Sequence, residues 1–160
     1  MKKSAFWRFF CLILYMYFLI YVSLFTNLIM LGVSLITHFV TYPSFKLIKS
    51  SIFSQYHKSY TYKMLFIVAP IMALELISTL SLVIFGTIDN YTALSLLIIL
   101  IIIWFLTFFN IVPIHTKLSI KYNNELNKKL ISYNGLRTCL WTIKLILFVG
   151  FCNYLTTNFH

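Results

Sequence analysis

The sequence predicts an all-α protein, a four-helix transmembrane bundle with two amphipathic helices in basic cytoplasmic loops. Three observations carry that reading. Of the 160 residues, 61% are apolar and 10% charged, whereas a water-exposed surface goes with about 25% charged. Four charge-poor segments divide the chain, each long enough to supply the roughly 20 residues of one crossing. The cations fall mainly between those segments, with 13 Lys and Arg against 3 Asp and Glu. So much apolar surface also excludes intrinsic disorder. Residues 1–160 read as a single membrane domain, and the 19% aromatic content suits the lipid–water boundary.

The first segment lies between Arg8 and Lys46 and holds 37 uncharged residues. As a helix it would be about 55 Å long, too long for one perpendicular crossing and too short for two. The expected crossing is 17–42, preceded by an interfacial aromatic stretch, Phe6–Tyr15. The run far exceeds the roughly 7–15 residues of a signal-peptide core, so it reads as a retained helix. The second crossing is expected at 64–86, broken only by Glu75, the third at 91–113, and the fourth at 137–158, broken only by Lys144. Gly86 to Asn90 is a short turn, which makes the second and third helices antiparallel neighbours.

The other two connections are long and basic. Thr41–Lys63 has Phe45, Ile48, Ile52, Tyr56 and Tyr60 at helical spacing, and His115–Arg137 has Leu118, Tyr122, Leu126, Leu130 and Tyr133. Both read as amphipathic helices lying on anionic lipid headgroups. His57 reads as a solvated surface residue of the first. The two connections hold Lys46, Lys49, Lys58, Lys63, Lys117, Lys121, Lys128, Lys129 and Arg137, and only Lys2, Lys3 and Arg8 lie on the opposite side. The positive-inside rule then places the loops in the cytoplasm and the termini outside, although the first helix argues the other way. The expected location is a bacterial inner membrane, with the mitochondrial inner membrane as the alternative. The basic balance is explained by topology and lipid, not nucleic acid.

Ionisable groups inside a span are expensive and normally face the bundle interior. Ser23, Asn27, Ser34, His38 and Thr41 form one polar seam, and Asn134, Arg137, Trp141, Lys144 and Phe148 another. Thr107, Asn110 and His115 add polar groups on the third helix. The expected pocket is His38, Glu75, Asn110, His115, Arg137, Trp141 and Lys144, in the cytoplasmic half. There His38 and His115 could ligate a metal or haem or relay protons, and Arg137 and Lys144 could hold an anion. The plainer reading pairs Glu75 with Lys144 and leaves the histidines bonded to nearby backbone. No GxSxG, phosphate loop or HExxH occurs.

His38-Phe-Val-Thr-Tyr-Pro43, Tyr56-His57, Ala69-Pro70, Glu75-Leu76, Pro113-Ile-His115, Asn134, Arg137-Thr138, Trp141-Thr142 and Lys144 resemble a group of small bacterial four-helix membrane proteins. The combination spans about Gly32 to Lys144, with a lysine where the group often carries arginine. It is similar, more loosely, to anthrone-oxygenase-type membrane proteins. The resemblance implies architecture rather than chemistry. Three functions stay open: a cofactor-binding or redox membrane enzyme using the polar pocket, a non-catalytic accessory subunit or assembly factor of a larger membrane complex (or a homo-oligomer), and a small proton-coupled transporter using Glu75.

Overall fold

The computed structural model describes the backbone of residues 2–158 and the side chains of residues 7, 8 and 10–153. Within these residues the chain is helical apart from short turns, with no strand. The helices are α1 (Lys2–Ile36), α2 (Tyr42–Ser44), α3 (Ser50–Ile84), α4 (Asn90–Leu106), α5 (Val112–Leu118) and α6 (Asn124–Asn158). A π-helical turn, Thr37–Thr41, joins α1 to α2, and a second, Thr107–Ile111, joins α4 to α5. Four of the resulting rods are long and apolar enough to cross a membrane: Phe10–Leu47, Ser50–Ile84, Asn90–Leu118 and Asn124–Asn153.

Both π turns share a sequence context, while Pro70 is accommodated inside α3 without such a turn. Each is followed at once by a residue and then a proline, Tyr42-Pro43 and Val112-Pro113. A proline inside a helix lacks an N–H, and its ring collides with the carbonyl four residues back. Widening the preceding turn by one residue relieves that collision without ending the helix. Accordingly the Tyr42 N–H donates to the Thr37 carbonyl and the Val112 N–H to the Thr107 carbonyl, each five residues back.

The extra residue rotates everything beyond it. The buried polar positions of the first rod are Ser23, Thr26, Asn27, Ser34 and Thr37, and the next buried residue is Tyr42, a step of five. The polar seam expected to end on His38 and Thr41 therefore ends on Thr37 and Tyr42 instead. His38 turns toward α6, where its ring lies against Gly135: a Cβ there would stand 2.8 Å from His38 Cε1.

The two basic connections also differ from expectation. They contain no separate surface helices. The later residues of their apolar stripes, from Ile52 and from Leu126, lie in the first turns of α3 and α6, each a continuous helix of 35 residues, or about 52 Å. No proline interrupts Ser50–Lys63 or Asn124–Arg137, so nothing halts the helix at the expected start of the crossing. The stripe of the first is set one residue over as well. Phe53 and His57 are buried, whereas Ile52 and Tyr56 are 54% and 45% exposed. Likewise α1 runs without a break through the stretch expected to be interfacial; Phe6, part of that stretch, lies outside the described side chains.

At the opposite end, Gly86 closes α3. Its φ of +57° suits glycine, which has no Cβ to clash there. The Thr87 N–H reaches the Leu82 carbonyl at 3.3 Å and the Gly86 N–H the Val83 carbonyl at 3.4 Å, the paired bonds of a Schellman motif. Asp89 then caps α4 by accepting from the Thr92 N–H at 2.9 Å, which holds its carboxyl below the usual carboxylate range.

α1 packs chiefly against α3 and α6, and α4 against the same two, which is a four-helix arrangement with α1 and α4 on one diagonal. The core has three layers. Leu82, Ile88, Ala93 and Leu96 pack with Phe148 at the Gly86 end. Met30, Met72, Ile103 and Trp141 fill the middle. Tyr42, Phe45, Phe53, Leu118 and Leu130 close the end with the basic connections. The outer surface is apolar too: Phe39, Phe66, Ile84 and Phe109 are 64–73% exposed.

The close approach of His38 to Gly135 can be tested. Gly135→Ala must push the imidazole aside, and overpacking of this kind costs about 1–3 kcal/mol. The variant should unfold at lower temperature in detergent, and adding His38→Ala should recover most of the loss. Because alanine also gains roughly 1 kcal/mol of helix propensity over glycine, the comparison is decisive: an equal effect of Gly135→Ala with His38 present and with His38→Ala would show that the two are not in contact.

Candidate functional site

Two polar clusters occupy the interior, and the long helices position both. The first is an ion pair deep in the bundle. Lys144 Nζ of α6 lies 2.7 Å from Glu75 Oε1 of α3, and the two side chains are 1% and 0% exposed. Trp141, one turn before Lys144, donates its indole N–H to both Glu75 oxygens at 3.3 Å. Thr79, one turn beyond Glu75, lies 3.5 Å from Lys144 Nζ. A buried carboxylate needs its lone pairs occupied and its charge matched, and here Lys144 and Trp141 of α6 do both, while Thr79 accepts from the ammonium. A polar set between α1 and α6 extends this zone. Asn134 donates to the Ser34 carbonyl at 2.9 Å and to Thr37 Oγ1 at 3.2 Å, and Ser34 meets Thr138 at 2.7 Å.

The second cluster is a hydrogen-bonded chain at the end with the basic connections. Tyr42 Oη lies 3.2 Å from His115 Nε2. His115 Nδ1 lies 3.1 Å from His57 Nε2, and His57 Nδ1 lies 2.9 Å from Ser119 Oγ. Each member comes from a different turn of the fold: Tyr42 from just past the first π turn, His115 from α5 just past the second, His57 from the first turns of α3, and Ser119 from the loop after α5. His57 is fully buried, stacked on Phe53 at 5.3 Å and edge-on to Phe45. The phenol of Tyr60 meets that of Tyr42.

Between the clusters lies a cavity of about 530 Å³, within the roughly 300–1,000 Å³ of small-molecule sites. Tyr42, Tyr60, His115 and Arg137 line its polar part, and Val33, Leu65, Val68, Met72, Trp104 and Phe108 much of the rest. Arg137 is 6% exposed. Its guanidinium stands over Trp141, 4.8 Å from the ring centroid, and close enough to His115 and Tyr42 to act on both electrostatically. Among the described residues no carboxylate forms an ion pair with it.

The expected pocket is thus partly assembled and partly not. Glu75, Trp141 and Lys144 form one cluster, with Arg137 stacked beside them. Lys144 is taken up by Glu75, so Arg137 is the cation left to meet a ligand. His115 is present at the cavity, but its partner is His57 rather than His38, which packs on Phe39 and Gly135. The geometry does not pair His38 with His115 for a metal or haem: His38 lies against Gly135 of α6, and His115 meets His57. Among the described residues, no three His, Cys, Asp or Glu converge. Asn110, half-buried in the second π turn, is not among the residues lining the cavity.

His57, Tyr42, Tyr60 and Ser119 are the additions. His57 had a legible signal: Phe53, His57 and Tyr60 recur at spacings of four and three, which puts them on one helical face. Drawing the stripe one residue earlier hides it. Tyr42 had none apart from its place before Pro43, since its burial depends on the π turn.

Compared with protein-family models, curated proteins and solved structures, the chain matches none.

The ion pair yields a prediction. Glu75→Gln keeps the shape and strands the Lys144 ammonium, and breaking a buried pair in this way costs about 3–5 kcal/mol. The variant should accumulate poorly or melt far below the parent. Glu75→Gln combined with Lys144→Met, which removes the stranded charge, should recover much of the loss in the same melting assay. Equal stability of parent and Glu75→Gln would contradict the pairing.

Proposed function

We propose that the chain is an integral membrane enzyme that passes protons between its water-exposed loop end and a substrate held in the cavity, along Ser119, His57, His115 and Tyr42. The observation that carries the reading is the unbroken chain of four side chains that runs from Ser119, in the loop after α5, through the buried His57 and the half-buried His115 to the buried Tyr42; all but His57 also line the cavity. A neutral imidazole donates from one nitrogen and accepts at the other. Two of them in series can therefore be ordered in only two coherent ways. In one, Tyr42 donates to His115, His115 to His57 and His57 to Ser119. In the other, every bond is reversed. Delivering a proton at one end and removing one at the other converts the first order into the second. Such a wire brings acid–base chemistry to a buried site.

Membrane placement is supported by the four apolar rods and their apolar outer surface, since monomeric soluble proteins rarely carry such large exposed apolar patches. The likeness of the Tyr42-Pro43 and Pro113-Ile-His115 motifs to small bacterial four-helix membrane proteins points the same way. Of the nine loop cations, eight lysines are exposed (Lys46, Lys49, Lys58, Lys63, Lys117, Lys121, Lys128 and Lys129), and Arg137 is interior. Those eight favour a cytoplasmic position for that end, where anionic headgroups also lie.

Orientation can be read by cysteine labelling. With Cys11, Cys139 and Cys152 changed to serine, Asn90→Cys should react with an impermeant maleimide in intact cells, and Lys49→Cys only after permeabilisation. The reverse pattern would invert the topology. For the chemistry, cells producing the parent should differ from cells producing His57→Gln in a substrate–product pair among their hydrophobic metabolites. Ser119→Ala should also shift the ring ¹⁵N resonances of His115, two bonds along the wire. Identical metabolite profiles would favour an accessory subunit, and unmoved resonances would mean the chain is not coupled.

A further inference from the structure

The cavity has a chemical bias of its own. Seven buried side-chain polar atoms among the described residues find no hydrogen-bond partner. Of the residues that bear them, only Trp104 and Arg137 line the cavity. The orphans on these two are the indole Nε1–H and the guanidinium Nε–H. Both are donors. A buried donor left unpaired costs about 1–3 kcal/mol, more when it is charged, so the pair calls for an acceptor. The interior charges say which kind. Glu75 and Lys144 cancel each other, and Arg137 remains as one uncompensated positive charge, nine-tenths buried beside the space. A monoanion balances it, whereas a dianionic phosphate monoester would leave a buried negative charge in its place. A planar carboxylate also fits the guanidinium fork.

The rest of the cavity selects the body of the ligand. Its remaining wall is mainly aliphatic and aromatic, and several wall residues are also open to the outer, apolar surface. Tyr62 and Leu65 of α3 are 64% and 60% exposed, and Phe108 and Val112 of the facing rod 53% and 45%. The mouth thus lies between α3 and the α4–α5 rod, on a side of the bundle that lipid would cover. Lys58, exposed on α3, also lines the cavity and presents a second, solvated cation to an approaching anion.

We propose that the cavity takes a single-chain carboxylate amphiphile, a long-chain fatty acid or a molecule of that form. It enters sideways from the bilayer and seats its head on Arg137 and Trp104 and its chain among the apolar wall. This rests on the membrane placement proposed above and names the substrate class of that same cavity.

Binding to the full-length protein in neutral phosphatidylcholine nanodiscs tests it. The probes are hexadecanoate, hexadecanol, methyl hexadecanoate and hexadecyl phosphate, each displacing a fluorescent fatty acid. A hydrogen-bonded charge pair is worth roughly 10–100-fold in affinity. The parent should therefore prefer hexadecanoate to the alcohol and ester by at least about tenfold. Arg137→Met should erase that preference and Arg137→Lys keep part of it. Ala69→Phe, which leaves Arg137 in place and fills the wall about 13 Å along α3 from Tyr60, should weaken hexadecanoate and hexadecanol alike, and it serves if Arg137→Met does not fold. Equal binding of acid and alcohol by the parent overturns the proposal, as does tighter binding of hexadecyl phosphate than of hexadecanoate. His57→Gln reads the proton wire separately. Loss of its metabolite signature with the acid preference intact removes the chemistry and keeps the ligand. An intact signature with no acid preference does the reverse.

Discussion

Glu75 and Lys144 hold the interior together. They join α3 to α6 in the middle of the bundle, at a depth where neither charge could stay alone. The carboxylate also takes the Trp141 indole N–H on both oxygens. That bond fixes the face of the tryptophan on which the Arg137 guanidinium rests. One ion pair therefore sets the register of two long helices and orients an aromatic platform. It also decides the charge of the space next door. Had Glu75 faced Arg137, the cavity would be neutral. Because it faces Lys144, the surplus cation stands beside the cavity.

The second constraint is steric. Two prolines, Pro43 and Pro113, each lie two residues beyond a π turn. These turns hold the helix together past the proline and rotate the residues beyond it. Tyr42 enters the core, while His38, inside the turn, packs against Gly135 of α6. On the other rod, His115 comes after Pro113 closely enough to sit where Tyr42 can reach it. Each half of the chain thus repeats one order: a long helix, a π turn, a proline, a basic connection and a 35-residue helix. The wire from Ser119 to Tyr42 forms where the two prolines bring the halves together, and the buried His57 supplies the link between them.

Much of the bundle can be read from residues alone. Four long apolar helices, the Gly86–Asn90 turn and an inward Glu75 come from composition, spacing and the expense of a charge in an apolar interior. Pairing of Glu75 with Lys144 is one of two readings those residues allow. The departures from expectation share a cause. The His38 seam, the Ile52–Tyr56 stripe and the separate loop helices all assume one uninterrupted helical period or a break where charge begins. A π turn in one case and the extended Ile48–Lys49 link in the other violate the first assumption, and long helices that run past their apolar stretch violate the second.

The sequence by itself determined that four apolar helices are long enough to cross a membrane, that they are apolar outside, and which ionisable residues must find partners inside. Those are consequences of transfer free energy, which each residue carries with it. Only the tertiary structure decided which partner each one found. Lys144 rather than Arg137 meets Glu75, His57 rather than His38 meets His115, and α3 and α6 begin at Ser50 and Asn124. Partner choice depends on the relative rotation of neighbouring helices, and a single extra residue in a turn resets it by about 100°.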